Sequence, residues 1–140
     1  MVQTARAEQR YNFTHILVWW VSGSGSLSTA AKKAIKNALN SGSEILVSSI
    51  SAWEIAMLVE KGRLVLSMDV ESWLDEVSQI EGVRFLPVDN EIGIKSAVLP
   101  GDSHKDPADR MIVATARKLA VPLITADEKI LQYEHVKTVW

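Results

Sequence analysis

The chain has 140 residues, 47% of them hydrophobic and 23% charged, with 15 Lys+Arg against 17 Asp+Glu and a formal net charge of -2. That balance describes one ordinary soluble domain with apolar side chains enough for its own core, and it excludes a protein that holds nucleic acid mainly by counterion release, which needs a strong basic excess. The lack of cysteine excludes disulfides, thiolate metal sites and a cysteine nucleophile, and fits a reducing, cytoplasmic setting.

Residues 1–12 mix Arg6, Glu8 and Arg10 with small and polar residues, lack the apolar stretch of a signal peptide, and read as a flexible leader to a single domain over 13–140. The longest apolar run, Ile16 to Val21, is six residues. A membrane span needs about 20, so the β-branched and aromatic run His15 to Trp20 predicts a buried strand, with Trp19 and Trp20 on opposite faces, followed by the turn-rich stretch Val21 to Ser26. Ser28 caps a predicted helix that places Ala31, Ala34, Ile35, Ala38 and Leu39 on one face and closes at Gly42. Ile45-Leu46-Val47 reads as a short strand. A helix follows from Ser51, with Ile55, Leu58 and Val59 at helical spacing, and a second one runs from Asp69 to Gly82, with Trp53 and Trp73 on the core stripes.

Val83 to Val88 is a strand, Asp89 opens a short helix to Leu99, and Pro100-Gly101 breaks the chain into a polar loop. Pro107 to Leu119 is a helix with Met111, Ile112, Thr115, Ala116 and Leu119 inward. Pro122 to Ile124 is a strand, Asp127 to Leu131 a short helix, and Val136 to Val139 a last strand. Helices alternating with continuously apolar strands predict an α/β fold, a three-layer α/β/α sandwich around a mainly parallel central sheet.

Acids recur beside the strands, at Glu54, at Asp106 and Asp109, and at Asp127. Each has a plain structural explanation. Ser51 and Glu54 have capping-box spacing, as do Thr125 and Glu128, and Asp106 before Pro107 is a good N-cap. Topology gives them a second one, since the carboxyl ends of parallel strands share one edge, where ligands bind. On that edge Glu54, Asp109 and Asp127 converge, and converging carboxylates require a cation. An oxygen-only ligand set suits Mg²⁺ or Mn²⁺, ions that clamp phosphate oxygens and activate water for phosphodiester hydrolysis.

Four collinear segments carry a family resemblance: Thr14-His15-Ile16-Leu17-Val18-Trp19-Trp20 with Leu27-Ser28; Val47 to Ala56 with Lys61-Gly62-Arg63-Leu64; His104 to Arg110; and Leu123 to Asp127. Over Phe13 to Trp140 the chain resembles the PIN-domain ribonuclease toxins of VapC type. The resemblance implies a compact parallel-sheet domain, an acid quartet holding Mg²⁺ or Mn²⁺, RNA cleavage, control by a VapB-type antitoxin, and a homodimer. Position by position, Glu54 is the second acid, Asp109 the third and Asp127 the fourth, with Asp106 an accessory acid or the cap. Phe13 stands where the family has its first acid, and a phenyl ring cannot ligate a cation. The departure implies either impaired activity, leaving an RNA- or antitoxin-binding pseudoenzyme, or an altered gene start. A metal-dependent phosphatase is a third reading of the acid cluster.

Around these acids, Thr14, Thr125, Ser48, Ser49 and Ser51 supply hydroxyls that cap helices or orient a metal-bound water. Arg110 is placed to pair with an acid or to touch phosphate. His15 reads as a core or near-site histidine and His104 as a solvated loop residue. Lys32, Lys33, Lys36, Lys61 and Arg63 form the local basic supply for RNA or a plain solvated surface.

Overall fold

The computed structural model describes residues 13–102 and 105–140, residue 13 by its backbone alone. In chain order the elements are α1 (Phe13–Ser22), α2 (Thr29–Asn40), β1 (Ile45–Ser48), α3 (Ile50–Glu60), α4 (Val70–Ser78), β2 (Val83–Leu86), α5 (Asn90–Ala97), α6 (Pro107–Leu119), β3 (Leu123–Ile124), α7 (Glu128–Leu131) and β4 (Thr138–Val139). The leader at 1–12 and His104 lie outside the described residues.

The run expected as a first strand is helical. α1 packs Leu17, Val18, Trp20 and Val21 into one core cluster, around Ile55, Trp73 and Val77, and Ile16, Trp19 and Trp20 into another, around Leu27, Ala31 and Ile35. A helix wedged between two clusters is apolar on nearly all sides and shows no 3.6-residue stripe, so its sequence looks like a buried strand. Trp19 and Trp20 are therefore not on opposite faces of a strand, and Trp19 instead meets Trp140 with ring centroids 6.2 Å apart.

Most helix starts follow local chemistry. Ser28 Oγ accepts from the Ala31 amide at 3.1 Å, Asp69 Oδ2 from the Ser72 amide at 3.0 Å and Asp89 Oδ1 from the Ile92 amide at 2.9 Å. Each satisfies one of the amides left over in a first helical turn. The two expected capping boxes do not form: the N-cap of α3 is Ser49, without a side-chain bond, and that of α7 is Asp127. Two inward assignments also fail, since Trp53 is 53% exposed and Leu119 40%. On α3 the buried residues are Ser51 and Ile55, a face that excludes Trp53.

The strands pair in parallel, as expected. β1 lies beside β2 with Ile45 opposite Val83 and Ser48 opposite Leu86, and β3 beside β4 with Leu123 opposite Thr138. Among the described residues they form two separate two-stranded sheets rather than one. Between them lies a cleft of about 420 Å³, lined by β1 and β3 and by α1, α2 and α6.

Candidate metal centre

Three acids meet near the first turns of two helices. Glu54 projects from α3, Asp106 caps α6, and Asp109 occupies the third position of α6 with 2% exposure. One carboxylate oxygen from each lies within 4.8 Å of the others. A hard cation with oxygen ligands at about 2.0–2.6 Å spans carboxylates at such separations, so the donor set fits Mg²⁺ or Mn²⁺.

Local structure explains how acids are held this close. Asp106 Oδ1 accepts from the Asp109 amide at 3.0 Å. Pro107 sits at the first helical position, where its missing N–H costs nothing. The 13-residue α6 directs its positive dipole end at both aspartates and offsets part of their mutual repulsion. On α3, Glu54 Oε1 accepts from Thr14 Oγ1 at 2.6 Å, and the same Thr14 hydroxyl lies 3.3 Å from Ser51 Oγ. Thr14 is fully buried and Ser51 nearly so. Glu54 thus turns toward α1 instead of completing a capping box, because the α1 hydroxyl offers a buried, well-aligned donor.

Asp127 does not join this group. Its carboxylate is buried, its Oδ1 accepts from the Lys129 amide at 2.9 Å, and its own amide donates to the fully buried Thr125 Oγ1 at 3.0 Å. Asp106, expected as an accessory acid or a cap, is the third member of the group within 4.8 Å. The signal was in the sequence: Asp106 and Asp109 are three apart at a helix start, which puts both on one face. Arg110, one residue further, points to α5, where Nε donates to the Ser96 carbonyl at 2.8 Å and Nη2 to the Ala97 carbonyl at 3.3 Å. Residue 13, at the first-acid position of the resemblance, begins α1 directly before Thr14.

His15, on α1, packs tilted against Trp19 with ring centroids 6.1 Å apart and an interplanar angle of 50°. Burial, and secondarily the Arg63 guanidinium, hold its pKa below the ordinary histidine value, so it is a neutral ring at neutral pH.

The chain belongs to the PIN-domain family, whose model matches residues 14–136. Within that family it is similar to Ribonuclease VapC22 of Mycobacterium tuberculosis, with 35% identity over 129 residues, 91% of this chain and 95% of that protein. The VapC-type affiliation read from the four segments is borne out by this match. No solved structure matches the chain.

Proposed function

We propose that this protein is a metal-dependent endoribonuclease toxin of a type II toxin–antitoxin system, hydrolysing RNA phosphodiester bonds at the Glu54, Asp106 and Asp109 cluster. The observation that carries the reading is the convergence of three carboxylates from helices more than 50 residues apart in a chain 35% identical to a ribonuclease. A bound divalent cation supplies an activated water and offsets charge on the phosphate. Glu54, Asp106 and Asp109 would hold that ion. Thr14 fixes one Glu54 oxygen, and the Asp109 amide fixes one Asp106 oxygen. Asp127 enters this reading through the family resemblance, as an acid whose carboxylate also caps α7.

The accompanying partners are an RNA substrate, a VapB-type antitoxin and a second copy of the chain, in the cytoplasm. No helix among the described residues is long and apolar enough to cross a membrane.

The experiment is RNA cleavage with Mg²⁺ or Mn²⁺, with and without EDTA, for the wild type, Glu54→Gln and Asp109→Asn. Either substitution lowers kcat by at least about 100-fold and removes the rise in Tm that Mn²⁺ gives the wild type, since binding to the folded state alone stabilises it. Cleavage that survives EDTA and both substitutions overturns the assignment.

A further inference from the structure

Glu54 and the two aspartates come from different helices, so their separation depends on how the first turn of α6 is held against the rest of the molecule. Within that turn the bonds are local. The Asp109 amide donates to Asp106 Oδ1 at 3.0 Å, and the Arg110 amide donates to the Asp106 carbonyl at 3.0 Å. These bonds fix the aspartates relative to each other but not relative to α3. Helix ends fray, and repulsion among three close carboxylates favours the fraying. The Arg110 side chain supplies a tie of another kind. Its Nε and Nη2 donate to the carbonyls of Ser96 and Ala97, in the last turn of α5, at 2.8 and 3.3 Å. Carbonyls at a helix end lack intrahelical donors, and the residue that would donate to Ser96 in a longer helix is Pro100, which has no N–H. Nε and Nη2 share one edge of a planar guanidinium, so one side chain reaches two successive carbonyls. Its charge also meets the negative end of the α5 dipole.

We propose that Arg110 is a positioning residue of the metal centre: by clamping the first turn of α6 to the C-terminus of α5, it holds Asp106 and Asp109 at the distance from Glu54 that one cation requires. α5 is itself a firm support, with Ile92 and Ser96 buried. At its other end, Glu91 in the first turn of α5 pairs with Lys118 in the last turn of α6 at 3.0 Å. The two helices therefore run antiparallel and are tied at both ends. The Lys118 tie is a surface ion pair, which contributes little, whereas the Arg110 tie is a charged donor on main-chain carbonyls and adjoins the acids in sequence. A lysine at position 110 keeps the charge but not the fork, so it cannot reproduce both bonds in one fixed geometry. The inference rests on the reading of Glu54, Asp106 and Asp109 as a metal centre, and it adds the residue that keeps two of them in place.

The test compares the full chain as wild type, Arg110→Met, Arg110→Lys and Ile35→Val, the last a core truncation on α2, which carries none of the three acids. Mn²⁺ titration and native-state amide hydrogen exchange are read at a temperature where each variant is folded. Arg110→Met weakens Mn²⁺ binding by at least about tenfold, the usual size for losing a support outside the ligands themselves. It also speeds exchange of the amides at positions 109 and 110, relative to the mid-helix Thr115 amide, by about tenfold or more. Arg110→Lys shows smaller losses of the same kind and carries the test should Arg110→Met not fold. Ile35→Val lowers Tm and changes neither quantity. Wild-type Mn²⁺ affinity in both Arg110 variants overturns the proposal, as does an equal loss in Ile35→Val, which marks general instability. A loss confined to the KM for RNA, with Mn²⁺ affinity unchanged, also overturns it and marks Arg110 as a phosphate contact. A wild type that binds no Mn²⁺ overturns the metal centre instead, and exchange at positions 109 and 110 then decides alone whether Arg110 holds the turn.

Discussion

Thr14 illustrates how one buried hydroxyl links the core to the candidate site. It sits at the start of α1, fully buried, and donates a short bond to a carboxylate on α3. Valine has nearly the same shape and no hydroxyl. Thr14→Val therefore preserves packing and releases Glu54 from its donor, a loss of about 1.5–3 kcal/mol for a bond to a charged group. The expected outcome is a kcat for RNA cleavage lower by about tenfold or more, with weaker Mn²⁺ binding by titration and a Tm within a few degrees of wild type. Thr14→Ser, which keeps the donor, restores most of the activity.

His15, one position on, makes a separate prediction about pH. Its pKa in the folded state lies below the ordinary histidine value of 6.5 because burial disfavours the imidazolium and Arg63 repels it. As pH falls through about 6.5 the unfolded chain takes up a proton that the folded chain refuses, so the unfolded state binds more protons. The stability tied to His15 is fully present above that pH and is lost progressively below it. Urea midpoints at pH 7.5 and 5.5 are expected to show the loss in the wild type and a smaller one in His15→Gln; equal losses in both would exclude this origin.

At the scale of elements, α6 carries the site and also an avoidable strain. It presents Asp106 and Asp109 at its first turn and ends at Ala120, whose φ of 54 and ψ of 43 place an alanine in the left-handed region. A Cβ there costs roughly 1–2 kcal/mol, part of which glycine returns through its larger unfolded-state entropy. Ala120→Gly is expected to stabilise the protein by about 0.5–1 kcal/mol, seen as a rise of a few degrees in Tm, with RNA cleavage unchanged. Gly82, at φ 87, shows the complementary case, since a Cβ would stand 2.4 Å from Leu39 Cδ2. The positive φ favours glycine there, while the Leu39 methyl is the end of a flexible side chain that can shift.

Elements with a local cause were legible in the sequence. Ser28, Asp69, Asp89 and Asp106 cap the helices expected of them, because each cap is a contact within four residues. α1 was not legible, because its sides are covered by residues from Leu27 to Trp140 and no periodicity survives such coverage. Glu54 shows the same limit at a single side chain: the capping box is the local solution, and a hydroxyl 40 residues away displaces it.

For the whole molecule, a composition of 17 acids and 15 bases determined a near-neutral domain with a local rather than global route to nucleic acid. The sequence alone also determined the alternation of helix and strand, the oxygen-only ligand chemistry and, through four collinear motifs, the PIN family. These depend on residue type, short-range spacing or order along the chain. The tertiary structure decided which acids meet, bringing Asp106 to Glu54 and Asp109 while Asp127 caps α7. It also decided that, among the described residues, the strands form two parallel pairs with a cleft of about 420 Å³ between them. Both are distances between segments far apart in the chain, set by how α1 and α6 pack, and no local pattern encodes them.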